Sequence, residues 1–164
     1  MTGAGAVQSV ETTGLAWGVK QSFVRYVRRV AHGDASPEGG AGELPDGRFH
    51  FPIRSLGALD ATNADADVTF AGGVRFRGHA GMIDLRITDL ELHLADGSGV
   101  MRTVVGGAAR SVVEVRVTHA WTDGAVTAFV LAAHLAAGAE ALFDDVYVAR
   151  TPFYDLEVRV SPSA

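Results

Sequence analysis

The feature that most constrains the fold is a series of short segments in which apolar and polar residues alternate. They are rich in Val, Ile, Thr and Phe, which favour β-strands. The segments are RFHFPI (48–53), DVTFAGGVRFRG (67–78), GMIDLRITDLELHL (81–94), GVMRTVVG (99–106) and ARSVVEVRVTHAW (109–121). Gly or Asp-Gly turns separate them, and the spacing leaves no room for crossover helices, so we predict antiparallel meanders.

Three further stretches are less regular. Residues 126–145 begin like a strand, but their second half, AAGAEALFDD, favours a short helix. Residues 146–160 predict a strand, a turn and a second strand. Residues 32–47, HGDASPEGGAGELPDG, are rich in Gly and Pro and predict a loop.

Near the N-terminus the spacing of apolar residues changes to that of an α-helix. From Leu15 to about Val30, steps of 100° per residue bring seven residues into an arc of about 120°. These residues are Leu15, Ala16, Val19, Phe23, Tyr26, Val27 and Val30. Ser22 lies on the flank of the arc, one turn before Tyr26. We therefore predict one long N-terminal helix whose apolar face covers the sheet.

The predicted fold class is mainly β with α (α+β). It is an antiparallel β-sandwich or open barrel, with the long N-terminal helix and a short helix in the C-terminal half covering a ligand pocket. The chain has 164 residues, 48% of them hydrophobic and 20% charged, which is ordinary for one globular domain. We predict a disordered lead-in over residues 1–13 and a single domain over residues 14–161.

Charge and composition exclude several classes of function. The formal net charge of −5 argues against nucleic acid as a partner of the whole domain. The chain has no cysteine, so disulfides, thiolate metal sites and cysteine nucleophiles are excluded. The N-terminus lacks the pattern of a secretory signal and no window has about 18 consecutive apolar residues, so we expect no membrane insertion. The chain is thus either cytoplasmic as written or an excised domain of an exported or cell-surface protein.

Two long segments resemble a known family. They are LAWGVKQSFVRYV (15–27) and VTFAGGVRFRGHAGMIDLRITDLEL (68–92), and a third, LAAGAEALFDDVYVARTPFYDLEVRV (135–160), is weakly similar to the family's closing stretch. The family is the HtaA-type haem-binding domain of actinobacterial haem-uptake proteins. The resemblance implies non-covalent binding of ferric haem b for capture, transfer or storage, with other haem-uptake proteins as donor or acceptor. It implies a monomer or homodimer and no catalysed reaction.

The resemblance also implies a set of site residues. The family's axial tyrosine corresponds to Tyr26, the histidine that hydrogen-bonds the ligating oxygen to His79, and a serine that can bond a haem propionate to Ser22. A late tyrosine of the family corresponds to Tyr147. A tyrosinate oxygen is a hard anionic donor that favours Fe(III), which suits transport of oxidised haem.

The predicted helix adds three candidates. Gly18, four residues before Ser22, would let a flat macrocycle approach the backbone, and Phe23 would point into apolar surroundings. Arg29, like Arg25, would meet propionates at the mouth of the pocket. Without the resemblance, these positions have plainer interpretations: a boundary tyrosine, a surface turn histidine and a solvated helix serine.

Other readings of the sequence remain open. The same pocket would also suit an intracellular enzyme or carrier of another hydrophobic small molecule. Histidines 50, 93, 119 and 134 lack the spacing of a zinc site, and DATNADAD (60–67) lacks the register of a calcium loop and is expected to cap a turn. Trp17 and Trp121 are predicted to be core aromatics.

Overall fold

The computed structural model describes residues 13–60, 62–143 and 145–161. The predicted lead-in therefore lies almost wholly outside the described residues. Within them, the chain forms thirteen strands in two antiparallel sheets. The strands are β1 Gly14–Trp17, β2 Asp34–Glu38, β3 Gly42–Glu43, β4 Phe49–Phe51, β5 Ile53–Asp60, β6 Asp65–Phe70, β7 Gly73–Gly78, β8 Ile83–Thr88, β9 Glu91–Ala95, β10 Ser98–Val105, β11 Ala108–Asp123, β12 Val126–Leu135 and β13 Pro152–Val160.

The larger sheet has ten strands in the order β3-β4-β1-β13-β12-β11-β10-β9-β6-β5 and forms a half-barrel. The smaller sheet has the order β2-β7-β8. Every strand pair in both sheets is antiparallel, which confirms the predicted meanders. Among the residues described, no helix combines the length and the apolar character that crossing a bilayer requires.

The core is one continuous cluster of apolar side chains that takes members from both sheets and the helix. Its largest fully buried aromatic members are Trp17, Phe49, Phe51, Phe70, Phe76, Phe129 and Phe143. The prediction that Trp17 is a core residue is confirmed. For Trp121 the prediction is wrong, because it lies in β11 beyond Arg116, where pairing with β10 ends, and its side chain is 40% exposed beside Arg159.

The N-terminal helix is shorter than the sequence predicts. Gly14–Trp17 forms β1, which pairs with β4 on one side and β13 on the other. The helix comprises α1, Gln21–Arg25, and a π-helical segment, Tyr26–Val30. The prediction of a long helix from Leu15 is therefore wrong. Two neighbouring strands supply hydrogen bonds that override a weak local preference, and Val19, at φ +63°, separates strand from helix.

The predicted loop over residues 32–47 is also wrong in part, because it contains β2 and β3. β2 pairs with β7 and lies at the edge of the smaller sheet, where Pro37 can be accommodated. In the acidic stretch 60–67, the Asp60 carboxylate accepts a hydrogen bond from the Thr62 backbone N–H at 3.0 Å, as expected of a turn cap.

The last part of the chain agrees with the sequence in two of three elements. The short helix is a four-residue 3₁₀ turn, Glu140–Phe143, and the final strand is β13. The strand predicted from Val146 is wrong, since this stretch runs through turns to Thr151. These turns bring Tyr147 against the helix.

Candidate functional site

Tyr26 and His79 are brought together from distant parts of the chain. Tyr26 Oη lies 2.7 Å from His79 Nε2, within hydrogen-bond distance, and the rings meet edge to face. Tyr26 is the first residue of the π-helical segment, and its side chain is 38% exposed. The predicted pairing of these two residues is thus present in the structure, at a surface that a ligand can reach.

The backbone fixes where His79 lies. His79 begins the short 3₁₀ turn His79–Gly81 between β7 and β8. His79 and Ala80 both have positive φ, at 50° and 54°, a conformation that costs about 1–3 kcal/mol per residue and persists only where the surrounding structure enforces it. The His79 N–H donates to the Ala31 carbonyl at 2.9 Å, which ties the turn to the end of the helix.

The helix itself widens at Tyr26. The Ala31 N–H donates to the Tyr26 carbonyl, five residues earlier, at 2.9 Å, instead of to the carbonyl four residues earlier. Such π-helical turns are rare in proteins, and many of those that do occur lie at functional sites. The wide turn leaves Val27 buried on the core side and Tyr26 exposed beside His79. A strictly α-helical wheel places both residues in the same apolar arc.

A second hydroxyl pair lies on the preceding helical turn. Ser22 Oγ is 3.0 Å from Tyr147 Oη. The Tyr147 ring packs edge-on against Phe23, Phe143 and Phe153, with centroid separations of 6.5, 6.2 and 5.8 Å. Ser22 thus has a polar partner, although it is exposed and its hydroxyl can also reach solvent.

A narrow cleft, lined by seven apolar residues and Asp84, opens between the β7–β8 hairpin and the 3₁₀ turn Glu140–Phe143. Its volume is about 130 Å³. The described residues that line it are Phe23, Met82, Ile83, Asp84, Leu85, Ala141, Leu142 and Phe143. Pockets that enclose a drug-sized molecule measure about 300–1,000 Å³, so this cleft takes only one edge of a large flat ligand.

Exposed apolar side chains concentrate around the two hydroxyl pairs. Of the large hydrophobic residues that the structure describes as exposed, only Trp121 belongs to another region. The others are Tyr26, Val30, Met82, Val146 and Val148. They lie on the helix, beside the His79 turn and on both sides of Tyr147 in sequence. Concentration of exposed apolar groups is typical of a surface that a ligand or partner covers.

Not every predicted site residue joins this arrangement. Gly18 lies before the helix, so its predicted place on the helix face is wrong, and a Cβ there would overlap the Tyr154 ring. Phe23 is buried and forms the floor of the cleft. Arg29 lines a different groove, with Arg28 and Asp46. The cleft walls at Met82 and Leu142 were not predicted, because nothing in their local sequence distinguishes them from core residues.

An ion pair joins the two strands of the hairpin that carries His79. The Arg75 guanidinium donates two hydrogen bonds to the Asp84 carboxylate, at 2.9 and 2.8 Å, and these hold the pKa of Asp84 below its ordinary value of 3.8. Arg75 and Asp84 are on β7 and β8, so the pair joins the two strands. Within the part of the chain that the structure describes, no three His, Asp, Glu or Cys side chains are grouped to hold a metal ion.

Comparison with known proteins identifies the fold. Three crystal structures from Corynebacterium glutamicum are similar. The C-terminal domain of HtaA is 24% identical, with a TM-score of 0.77, over 90% of this chain and 94% of that one. The N-terminal domain of HtaA is 19% identical, with a TM-score of 0.74, over 92% and 99%. The heme binding protein HtaB is 15% identical, with a TM-score of 0.68, over 90% and 91%.

The sequence was also compared with curated proteins and with protein-family models. No curated protein matches the chain significantly. The family model described as Htaa matches residues 12–159, which is most of the sequence. This chain belongs to the HtaA family.

Proposed function

We propose that this domain binds ferric haem b non-covalently, with the Tyr26 phenolate as axial ligand and His79 hydrogen-bonded to the ligating oxygen. The observation that carries the proposal is the 2.7 Å contact between Tyr26 Oη and His79 Nε2, at a surface where exposed apolar side chains concentrate. The structural similarity to a heme binding protein, HtaB, is independent support for the proposal.

The chemistry of the pair suits Fe(III). A free phenol has a pKa of about 10, so it needs help to act as an anionic ligand at neutral pH. Ferric iron supplies that help as a Lewis acid. An imidazole N–H from His79 stabilises the phenolate through a charge-assisted hydrogen bond and fixes its orientation. A hard oxygen donor favours the ferric state, so the site suits carriage of oxidised haem.

The second hydroxyl pair suits the acidic edge of haem. When Ser22 and Tyr147 bond to each other, one O–H is used as donor and the other stays available. A propionate carboxylate accepts such a donor readily. In this arrangement iron is held at Tyr26 and a propionate near Ser22, one helical turn away.

The size of the cleft supports a role in transfer. Because the cleft takes only one edge of a macrocycle, much of a bound haem stays accessible. An accessible haem can pass to another protein without unfolding of the carrier. We therefore propose capture, relay or storage of haem, with haem-uptake proteins as donor and acceptor and with the domain acting as monomer or homodimer.

Titration with hemin tests the axial ligand. Wild type is expected to give a Soret band that shifts from that of free hemin and saturates at one equivalent. Tyr26→Phe should lose this spectrum, because the ligating oxygen is gone. Trp121→Phe is the control, since Trp121 is an exposed aromatic residue in another region of the surface. Transfer of bound hemin to apomyoglobin, followed by absorption, tests the carrier role.

Two outcomes would overturn the proposal. If Tyr26→Phe and wild type had the same spectrum and affinity, Tyr26 would not be the ligand. If wild type gave no Soret shift at all, haem would not be the cargo, and a different hydrophobic small molecule would become the leading candidate.

A further inference from the structure

Lys20 is the only lysine in the chain, since the other thirteen basic residues are arginines. It lies directly before α1. Its Nζ donates to the Pro152 carbonyl at 2.9 Å and lies 5.6 Å from the centroid of the Tyr147 ring and 5.8 Å from that of Phe153. Three contacts therefore hold this ammonium beside the Ser22–Tyr147 pair.

The ammonium faces an open groove of about 490 Å³. The described residues that line it are Lys20, Gln21, Ser22, Arg25, Pro152, Phe153 and Tyr154. Two of these are cations, two carry hydroxyl groups (Ser22 and Tyr154), and none is acidic. Ser22 belongs both to this groove and to the hydroxyl pair with Tyr147, so the groove begins where the proposed haem site ends.

The two cations differ from half of the other twelve basic residues of the protein. Six arginines form ion pairs with carboxylates: Arg28, Arg48, Arg54, Arg75, Arg86 and Arg159. Among the described residues, neither Lys20 nor Arg25 has an acidic partner within 4.0 Å. A local concentration of positive charge thus persists on a chain of net charge −5.

The choice of lysine at this position has a physical reason. An ammonium has three donors, and one is used on Pro152, so two remain for a ligand. A guanidinium is larger and planar and would have to fit between the Tyr147 and Phe153 rings. A compact point charge fits the space and still reaches the groove.

We infer that Lys20, with Arg25 beside it, selects porphyrins by their carboxylates. This inference rests on the proposed function. Tyr26 would recognise the iron, whereas Lys20 would recognise the acidic edge of the macrocycle. Lys20 is then a specificity-determining residue, and it supplies most of the discrimination between a porphyrin diacid and its neutral ester.

Iron-free protoporphyrin separates this inference from the axial-ligand proposal, because it has carboxylates but no metal for Tyr26. Affinities for protoporphyrin and for its dimethyl ester are measured by quenching of tryptophan fluorescence. Lys20→Met should weaken binding of the diacid by about tenfold and leave the ester within about twofold, with the difference shrinking at high salt. Lys20→Arg should restore part of the preference, and Arg102→Gln, an exposed charge on β10, should change neither affinity.

The single lysine also permits a direct probe. Selective ¹³C/¹⁵N labelling of lysine gives one NMR reporter, at Lys20, and leaves its three N–H donors intact. We expect the Lys20 signal to shift on addition of protoporphyrin and not on addition of the dimethyl ester. Thermal unfolding of Lys20→Met checks that loss of the Pro152 hydrogen bond has not unfolded the protein.

Two results would overturn the inference. One is an equal loss of affinity for diacid and ester in Lys20→Met, and the other is a lysine signal that is unmoved by protoporphyrin. Both can occur while hemin still binds through Tyr26, so failure here is distinguishable from failure of the haem proposal.

Discussion

The two hydroxyl pairs of the site are held in different ways. At the Tyr26–His79 end, the backbone determines the geometry: a π-helical turn on one side and a turn with two positive φ angles on the other, joined by a main-chain hydrogen bond. At the Ser22–Tyr147 end, packing determines it, because three phenylalanine rings hold Tyr147. The Tyr26–His79 end therefore holds its two side chains at a fixed distance. At the Ser22–Tyr147 end, small movements of the Tyr147 ring are tolerated.

Phe23 is where the two ends meet, so its removal should have the largest effect. It is 4% exposed, contacts Tyr147 and forms the floor of the cleft. Phe23→Ala is expected to lower the free energy of unfolding by about 3–5 kcal/mol, through lost burial and the cavity left behind. Urea denaturation measures this, with Phe23→Leu as the milder control. A loss below about 1 kcal/mol would mean that the two ends do not share this support.

Substitutions at His79 test whether the backbone governs the first end. Asparagine tolerates positive φ and a β-branched residue does not. His79→Val is therefore expected to lower the free energy of unfolding by about 1–3 kcal/mol, while His79→Asn should stay within about 0.5 kcal/mol of wild type. Chemical denaturation of both variants provides the measurement. Equal stabilities would show that the turn relaxes and that the strain is not locked in by the helix.

The Arg75–Asp84 pair should give the smallest effect, because Asp84 is exposed and Arg75 is only partly buried. The pKa of Asp84 is lowered, chiefly by the hydrogen bonds from Arg75. Its contribution to stability is therefore present above the ordinary value of 3.8 and is lost as pH falls through the lowered pKa. Acid titration of the His79 turn, followed by NMR, should show a transition below about pH 4 that Asp84→Asn removes. An unchanged transition in that variant would assign it to another carboxylate.

Much of the fold was predictable because most strands show a local alternation of apolar and polar residues. Alternation over 81–94 and 99–106 identifies β8, β9 and β10, since each has one face in the core. β1 was missed because four residues are too few to distinguish period two from period 3.6. β2 was missed because an edge strand tolerates Pro37 and carries few core contacts.

The site was predictable to a different degree. Family motifs pointed to Tyr26 and His79, and the structure brings them together. The π-helical turn was not predictable, because it ends at Ala31, whose carbonyl bonds to a hairpin that is distant in the sequence. Lys20 was overlooked because its role depends on Pro152 and on rings that come from the other end of the chain.

The π-helical turn also sets the separation of the Tyr26 and His79 side chains. Because Ala31 anchors the His79 turn, the distance between phenol and imidazole depends on the five residues from Tyr26 to Val30. Gain or loss of one residue there would shift the anchor by about 1.5 Å and 100°. That displacement is enough to separate the rings, although every side chain of the pair would still be present. In related sequences, the length of this interval is therefore as informative about an intact site as the tyrosine and histidine themselves.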